Sequence, residues 1–301
     1  VSLNAATAIT AQPSTTAQNL CINGITATIA VTATGSGITY QWYKNTTATN
    51  SGGTLISGAT NSVFMPSNTL VGTTYYYCVV SNTCSLQVTS SVSGAITVSS
   101  DSVAGTISGT ASICSGATTA LTVSGNVGAI QWQRFDSPIW TDVTGETNTT
   151  FTTPTVTQNT SYRAVVTSGL CSAANTTSFN VTVNPLPVIS GTTTVGVGDA
   201  ITLTATTTAA SSNAWVSSNP TIASVSSSGV VNGLTTGTTT ITYTNNNGCS
   251  DTEIILVTVG TTQSPILISP ATGTSGVSTL NISYTLLETP LAASVRLTFT
   301  P

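Results

Sequence analysis

The chain contains no histidine. Ser-His-Asp triads, Cys-His dyads and most zinc and copper sites need an imidazole as base or ligand, so all of these are excluded. Charge is nearly as scarce. Charged residues make up 4% of the 301, against about 25% in an ordinary globular protein. The cations are Lys44, Arg134, Arg163 and Arg296, and the net charge is −4. Nucleic acid and anionic membrane surfaces are held by clustered Lys and Arg, so neither is an expected partner. No run of about 18 apolar residues occurs, and no membrane-spanning helix is expected. GxSxG, Walker and GxGxxG patterns are missing too. Gly196-Val197-Gly198 reads as a turn before a strand. The sequence predicts no catalytic residue, no cofactor and no metal. Val1 opens directly into polar sequence, without a charged and then apolar leader. The expectation is a signal already removed or a piece of a longer protein.

What remains is 39% hydrophobic residues in a background of Thr, Ser, Gly and Asn. Disordered chains are rich in charge and poor in β-branched residues; this chain is the reverse. Thr and Val suit pleated, half-buried strands. Six cysteines beside one methionine suit an oxidising compartment and an extracellular location.

The organisation is repetitive. Residues 19–43, NLCINGITATIAVTATGSGITYQWY, and 112–133, SICSGATTALTVSGNVGAIQWQ, share one order. Each has a Cys, a Gly-containing turn, an alternating strand, a Gly-rich turn and a strand carrying Gln-Trp. Residues 73–85 and 160–172 repeat likewise, and Cys21 and Cys114 are 93 positions apart. That interval suits a sandwich of about 100 residues. Strands are short and of period two, and no helical period with caps appears. The fold class is all-β. The first two units resemble immunoglobulin-type sandwiches. In that resemblance Trp42 and Trp132 are the core tryptophans, and Tyr76 and Tyr162 stand where a tyrosine corner would.

The third unit carries WVSSNPTIASVSSSGVVNGLTTGTTTITYT at 215–244. It resembles the bacterial Ig-like group 2 domain, through Trp215, Ser218, Asn219, Pro220, Ala223, Val225, Gly229, Val231, Gly233 and Gly237. The expected division is 1–100, 101–185 and 186–260, the last as the group 2 unit. Residues 261–301 follow as an incomplete β domain or strand-donating tail, with strands at Ile266–Ser269, Thr279–Thr285 and Ser294–Phe299. Pro185 and Pro187 stiffen the second joint.

The cysteines pose a geometric problem. The obvious pairs are intra-domain, Cys21 with Cys84 and Cys114 with Cys171. Strands two and six of such a sandwich run the same way, which puts those partners at opposite ends, roughly 20 Å apart. A disulfide needs Cα atoms within about 7 Å. In a head-to-tail array the later domain's hairpin abuts the earlier domain. The alternative pairs are then Cys21–Cys171 and Cys114–Cys249, with Cys84 facing a neighbour. Joints stapled in this way would make the array a rod of sandwiches set end to end. Cys78 reads as a small buried residue or an alternative partner for Cys21.

Other polar and aromatic groups are weaker signals. Asp136, Asp142 and Glu146 share one loop region, too spread for a calcium site. Asp251 and Glu253 share one strand face, expected to be the solvent face. Trp140, Tyr43 and Phe135 lie beside the core tryptophans and are candidates for stacking on sugars. Asp101-Ser102-Val103 fits an O-glycosylation pattern known in Bacteroidota, with Ser102 as acceptor.

The Thr-rich, charge-poor repeats with Cys-x-Gly starts and Gly-Cys-Ser hairpins resemble the giant surface adhesins of Bacteroidota. That resemblance implies export by type IX secretion machinery, display on the cell surface, and adhesion or gliding motility without catalysis. Expected partners are neighbouring Ig-like domains of the same or other copies, the export machinery and surface polysaccharide. Two alternatives stay open: a self-assembling filament subunit, and an accessory segment of a polysaccharide-degrading enzyme.

Overall fold

The computed structural model describes residues 6–83, 87–260, 266–269 and 283–285, and every regular element among them is a β-strand. The chain forms two compact units with the boundary between Val183 and Asn184. The first unit contains two sandwiches.

In the first sandwich the larger sheet runs in the order Gln18–Cys21, Ile96–Ser99, Gly72–Ser81, Thr39–Asn45, Thr54–Leu55. Gln18–Cys21 is parallel to Ile96–Ser99, and the remaining neighbours are antiparallel. Facing it are two short pairs, Ala8–Ala11 with Thr32–Thr34 and Ile29–Ala30 with Val63–Phe64. Strand alternation explains the core. In Gly72–Ser81, Tyr76, Cys78 and Val80 point inward and join Trp42, Ile29, Val31 and Ile96.

The second sandwich repeats this plan. Ser112–Cys114, Phe179–Asn184, Thr160–Thr167, Ala129–Asp136 and Ile139–Asp142 form one sheet; Thr106–Gly109, Ala120–Ser124 and Thr150–Thr152 form the other. Trp132, Phe151, Tyr162, Leu121 and Val166 fill the space between.

The repeated Gln-Trp dipeptide has a physical reason. Each Trp is fully buried, and its indole N–H donates to a loop carbonyl: Trp42 to Asn61 (2.8 Å) and Trp132 to Asn148 (2.9 Å). The preceding Gln, facing the other way, donates its carboxamide to the next segment, Gln41 to Ile56 O (2.8 Å) and Gln131 to Val143 O (2.9 Å). An indole or amide buried without such partners would cost roughly 1–3 kcal/mol. Buried hydroxyls serve the backbone likewise. The Ser90 Oγ accepts from Cys78 N–H and the Thr176 Oγ1 from Ala164 N–H, both at 2.9 Å. This is where a Thr- and Ser-rich sequence places its side chains without losing hydrogen bonds.

In the second unit one sheet runs Thr194–Gly196, Ser250–Thr258, Gly237–Thr244, Trp215–Ser217; the other runs Ala200–Thr202, Val230–Gly233, Ala223–Val225. The motif at 215–244 is structural throughout. Trp215 packs on Tyr243 with ring centroids 4.7 Å apart. Gly229 holds φ +85°, and a Cβ there would strike Leu203 O and crowd the Trp215 indole, so glycine is required. The Asn219 carboxamide oxygen caps the following turn by accepting from Thr221 N–H (3.2 Å).

Asp251 and Glu253 do share one face, but it is the inner one. Ile255 and Val257 have the same parity and are buried, whereas Ile254 stands 64% exposed. The two acids sit half-buried at the end of that inward row, where Asp251 accepts from Ile189 N–H (3.3 Å). Ile266–Ser269 pairs antiparallel with Ser283–Thr285. The rest of the expected strand Thr279–Thr285, the strand Ser294–Phe299 and Cys84 lie outside the described residues.

Candidate functional site: a stapled joint and an aromatic face

The two sandwiches of the first unit meet at a joint built from the last strand of one and a hairpin of the other. Strand Ile96–Ser99 ends with Ser99 opposite Cys21, and Ile22 N–H donates to Ser99 O (2.9 Å). Three residues on, the Ser102 Oγ accepts from Ser168 N–H of the second sandwich (2.9 Å). Val103 then exchanges two backbone bonds with Val127, at 3.0 and 3.1 Å. The linker is thus bonded to both partners along its length.

The hairpin Ser168-Gly169-Leu170-Cys171 closes on itself through Cys171 N–H to Ser168 O (2.9 Å). Gly169 has φ +57° and lies against Ser99; a Cβ there would collide with the Ser99 hydroxyl. That close approach brings Cys171 to Cys21. The two are bonded, with Cα atoms 5.4 Å apart and a sequence separation of 150. The Cys171 sulfur also sits 3.4 Å from Ser100 O, a packing contact, since a disulfide sulfur has no proton to donate. Intra-domain pairs Cys21–Cys84 and Cys114–Cys171 are therefore not what the structure contains. Cys114 and Cys249 are not free thiols. The Asp101 carboxylate lies within 4.8 Å of both bridged sulfurs. Bridged sulfurs are not thiolates, so this trio is no metal site.

Cys78 is free and buried. It faces Trp42 across the sheet, at the position Ala164 holds opposite Trp132. Burial pushes its thiol up from 9.0 to about 11, against a smaller lowering from the Gln41 backbone. The folded site thus favours the neutral thiol. Its contribution to stability is intact below pH 9 and is lost as pH rises from 9 toward about 11, where the unfolded chain alone releases the proton. Iodoacetamide at pH 8 is expected to leave the Cys78 peptide unmodified in the native protein and to alkylate it after unfolding. A Cys78→Ala variant should lose the part of the decline that begins near pH 9, leaving the part above pH 10 to the buried Tyr76 and Tyr162; labelling of the native Cys78 peptide would show the thiol to be accessible.

Tyr76 and Tyr162 are buried core residues, packed on Phe64 (5.3 Å) and Phe151 (5.5 Å). Burial raises both phenols, offset at Tyr76 by a bond with Thr74 and at Tyr162 by Arg134.

The outer face of the larger sheet differs between the sandwiches. In the first, Tyr43 stacks on Tyr77 (5.2 Å, 6° between planes). The loop 46–53 folds over them: Gly53 N–H donates to the Tyr77 hydroxyl (3.1 Å) and Asn50 to Ser90 O (2.8 Å). Tyr43 is a packing residue. In the second sandwich only Ser137-Pro138 separates the strands, and the face is open. Register places Asp142, Gln133 and Arg163 in one row, and Trp140, Phe135, Ser161 and Asn180 in the next. Trp140 lies against Phe135 (5.2 Å), with the Arg163 guanidinium 4.5 Å from its ring centroid. Asp136 pairs with Arg134 (2.8 Å), and Asp142 accepts from Gln133 (2.7 Å). Glu146 contributes its backbone carbonyl to Trp132 N–H (3.0 Å). The Asp136 and Asp142 carboxylates are held by separate partners, and Glu146 takes part through its backbone. Sequence reasoning missed Arg163 and Gln133; their only signal was the polar substitution of the tyrosines at the same places in the first repeat.

Sheet order, the parallel leading strand and the paired core Trp and Tyr define the class as tandem immunoglobulin-like β-sandwiches. The chain belongs to the family described as Domain of unknown function (DUF8696), whose model matches twice, at residues 10–100 and 103–185. Residues 175–256 match the Bacterial Ig-like domain (group 2). Such domains are non-catalytic in general and typical of adhesion or structural extracellular proteins. No curated protein matches the sequence. Among solved structures, Drosophila OTK extracellular domains 3–5 is 14% identical, with 85% of this chain and 97% of that chain covered and a TM-score of 0.31. The insect immune protein hemolin is 17% identical, covering 84% and 76%, at 0.32. SGBP-B of the Bacteroides ovatus mixed-linkage glucan utilization locus, solved with a mixed-linkage heptasaccharide, is 16% identical, covering 92% and 76%, at 0.26. No helix among the described residues is long and apolar enough to cross a membrane.

Proposed function

We propose that the chain is a structural stalk segment of a bacterial cell-surface adhesin. Its domains are Ig-like sandwiches at 1–100 and 101–185 and a group 2 sandwich at 186–260, with 261–301 as an incomplete β domain or strand-donating tail. The observation that carries this reading is the joint at Ser99–Val103. A linker bonded on both sides and bridged by Cys21–Cys171 transmits position and load from one sandwich to the next. In this reading Cys114 pairs with Cys249 and repeats the device one joint further along. Disulfides of this kind persist in oxidising surroundings, in keeping with display outside the cell. The Thr-rich, charge-poor repeats and the group 2 match support a bacterial surface protein. Type IX export and a part in attachment or gliding belong to the same reading.

Ser102 as a glycan acceptor fits it less well, because its Oγ is half-buried and already accepts from Ser168.

The test is made on producing cells. Antibody against these sandwiches should label intact, unpermeabilised cells, and in-frame deletion of the segment should reduce surface attachment. Peptide mapping without reductant should recover a Cys114–Cys249 peptide. Labelling only after permeabilisation, with unchanged attachment, would sink the proposal.

A further inference from the structure

We infer that the open face of the second sandwich is a binding site for a neutral, β-linked polysaccharide, centred on Trp140 and Arg163. Three observations lead there. The first is the ring. Trp42 and Trp132 are fully buried and Trp215 nearly so, whereas Trp140 is only half-buried, with the 37% exposed Phe135 beside it. The Arg163 guanidinium supports the indole at 4.5 Å. β-Linked pyranoses present a face of C–H groups, and the electron-rich face of an indole is its natural platform.

The second is a fixed polar row beside the ring. Arg163 Nε donates to Gln133 Oε1 and Gln133 Nε2 donates to Asp142 Oδ1, both at 2.7 Å. These bonds hold three planar groups in place before a ligand arrives, which lowers the entropy lost on binding. They leave the terminal guanidinium nitrogens and the second carboxylate oxygen for sugar hydroxyls. A groove continues past Phe135 along Gln158, Asn159, Ser161 and Asn180, and its one charged lining residue, Asp136, is neutralised by its ion pair with Arg134.

The third is charge balance, which selects the class of ligand. Arg163 is balanced by Asp142 through Gln133, and Arg134 by Asp136. The face has no net charge to attract phosphate, sulfate or uronate. It offers donors and acceptors in mixture, as neutral vicinal hydroxyls require.

The fold itself does not demand this set. The first sandwich holds Tyr43 and Tyr77 at the places of Gln133 and Arg163, and Leu55 at that of Asp142. The inference is independent of the stalk reading, since it concerns the surface of one sandwich.

The experiment is affinity electrophoresis of the full chain in native gels containing barley β-glucan, mannan or xylan, with polygalacturonate as the anionic control. Tryptophan fluorescence titration with the matching oligosaccharides accompanies it, because Trp140 is the reporter at the surface. At least one neutral polymer is expected to retard the protein. Trp140→Ala and Arg163→Ala should each weaken binding about tenfold or more, about 1.4 kcal/mol, while Tyr43→Ala leaves it unchanged. Thermal melts verify that the variants are folded, and Gln133→Ala is the second probe should Trp140→Ala not fold. No retardation by any neutral polymer, equal retardation of the Arg163→Ala and parent proteins, or retardation by polygalacturonate alone would each overturn the inference.

Discussion

Trp132→Ala is expected to cost the second sandwich about 3–5 kcal/mol, the range for deleting a large buried aromatic. Domains of this size hold a total of about 5–15 kcal/mol, so roughly a fifth or more of the stability goes with one side chain. Trp132 is fully buried against Phe151 and donates its indole N–H to Asn148 O. Its removal leaves a cavity, and also a loop carbonyl without its partner. Guanidinium denaturation followed by far-ultraviolet circular dichroism should show the transition of this sandwich moved to much lower denaturant. The internal contrast is Trp140→Ala, which removes an indole of the same size from the surface and should move the transition far less. Equal shifts for the two would mean that the outer face, not the core, holds the sandwich together.

Replacing both Cys21 and Cys171 by serine is expected to have the second large effect. The bridge closes a loop of 150 residues. The chain-entropy account assigns such a loop about 5 kcal/mol, through restriction of the unfolded chain. Most of that loss should appear as lost coupling. With the bridge, unfolding of one sandwich leaves its ends tethered to the other. Without it, the Ser102–Ser168 and Val103–Val127 bonds and the packing of Gly169 on Ser99 remain. Calorimetry should resolve one transition into two for the double variant, and the parent treated with reductant should behave alike. An unchanged single transition would show that the linker, and not the sulfur bridge, couples the pair.

The all-β class, the repeat and the core tryptophans were legible because each depends on short-range pattern: period-two strands, a fixed Gln-Trp dipeptide, a recurrent interval between leading cysteines. The group 2 motif was legible for the same reason, since Gly229 and Asn219 answer to local backbone geometry. The outer faces were not. Whether Tyr43 or Trp140 is covered depends on the loop 46–53 in one sandwich and on its reduction to Ser137-Pro138 in the other, and loop paths leave no periodic trace. Arg163 meets Trp140 only through a register set across two strands. At Asp251 and Glu253 two acids at i, i+2 suggest solvent, but the parity of the strand is fixed further along by Ile255 and Val257, which turn that face inward.

The bridge at the first joint also bears on what happens when the chain is pulled. Tension applied at the two ends of the first unit passes through the sulfur bond and bypasses everything between Cys21 and Cys171. Those 150 residues, worth roughly 500 Å of extended backbone, are withheld from the extension even if both sandwiches come apart. An oxidised segment therefore meets a pull as a short, nearly inextensible link, and a reduced one would pay out its hidden length.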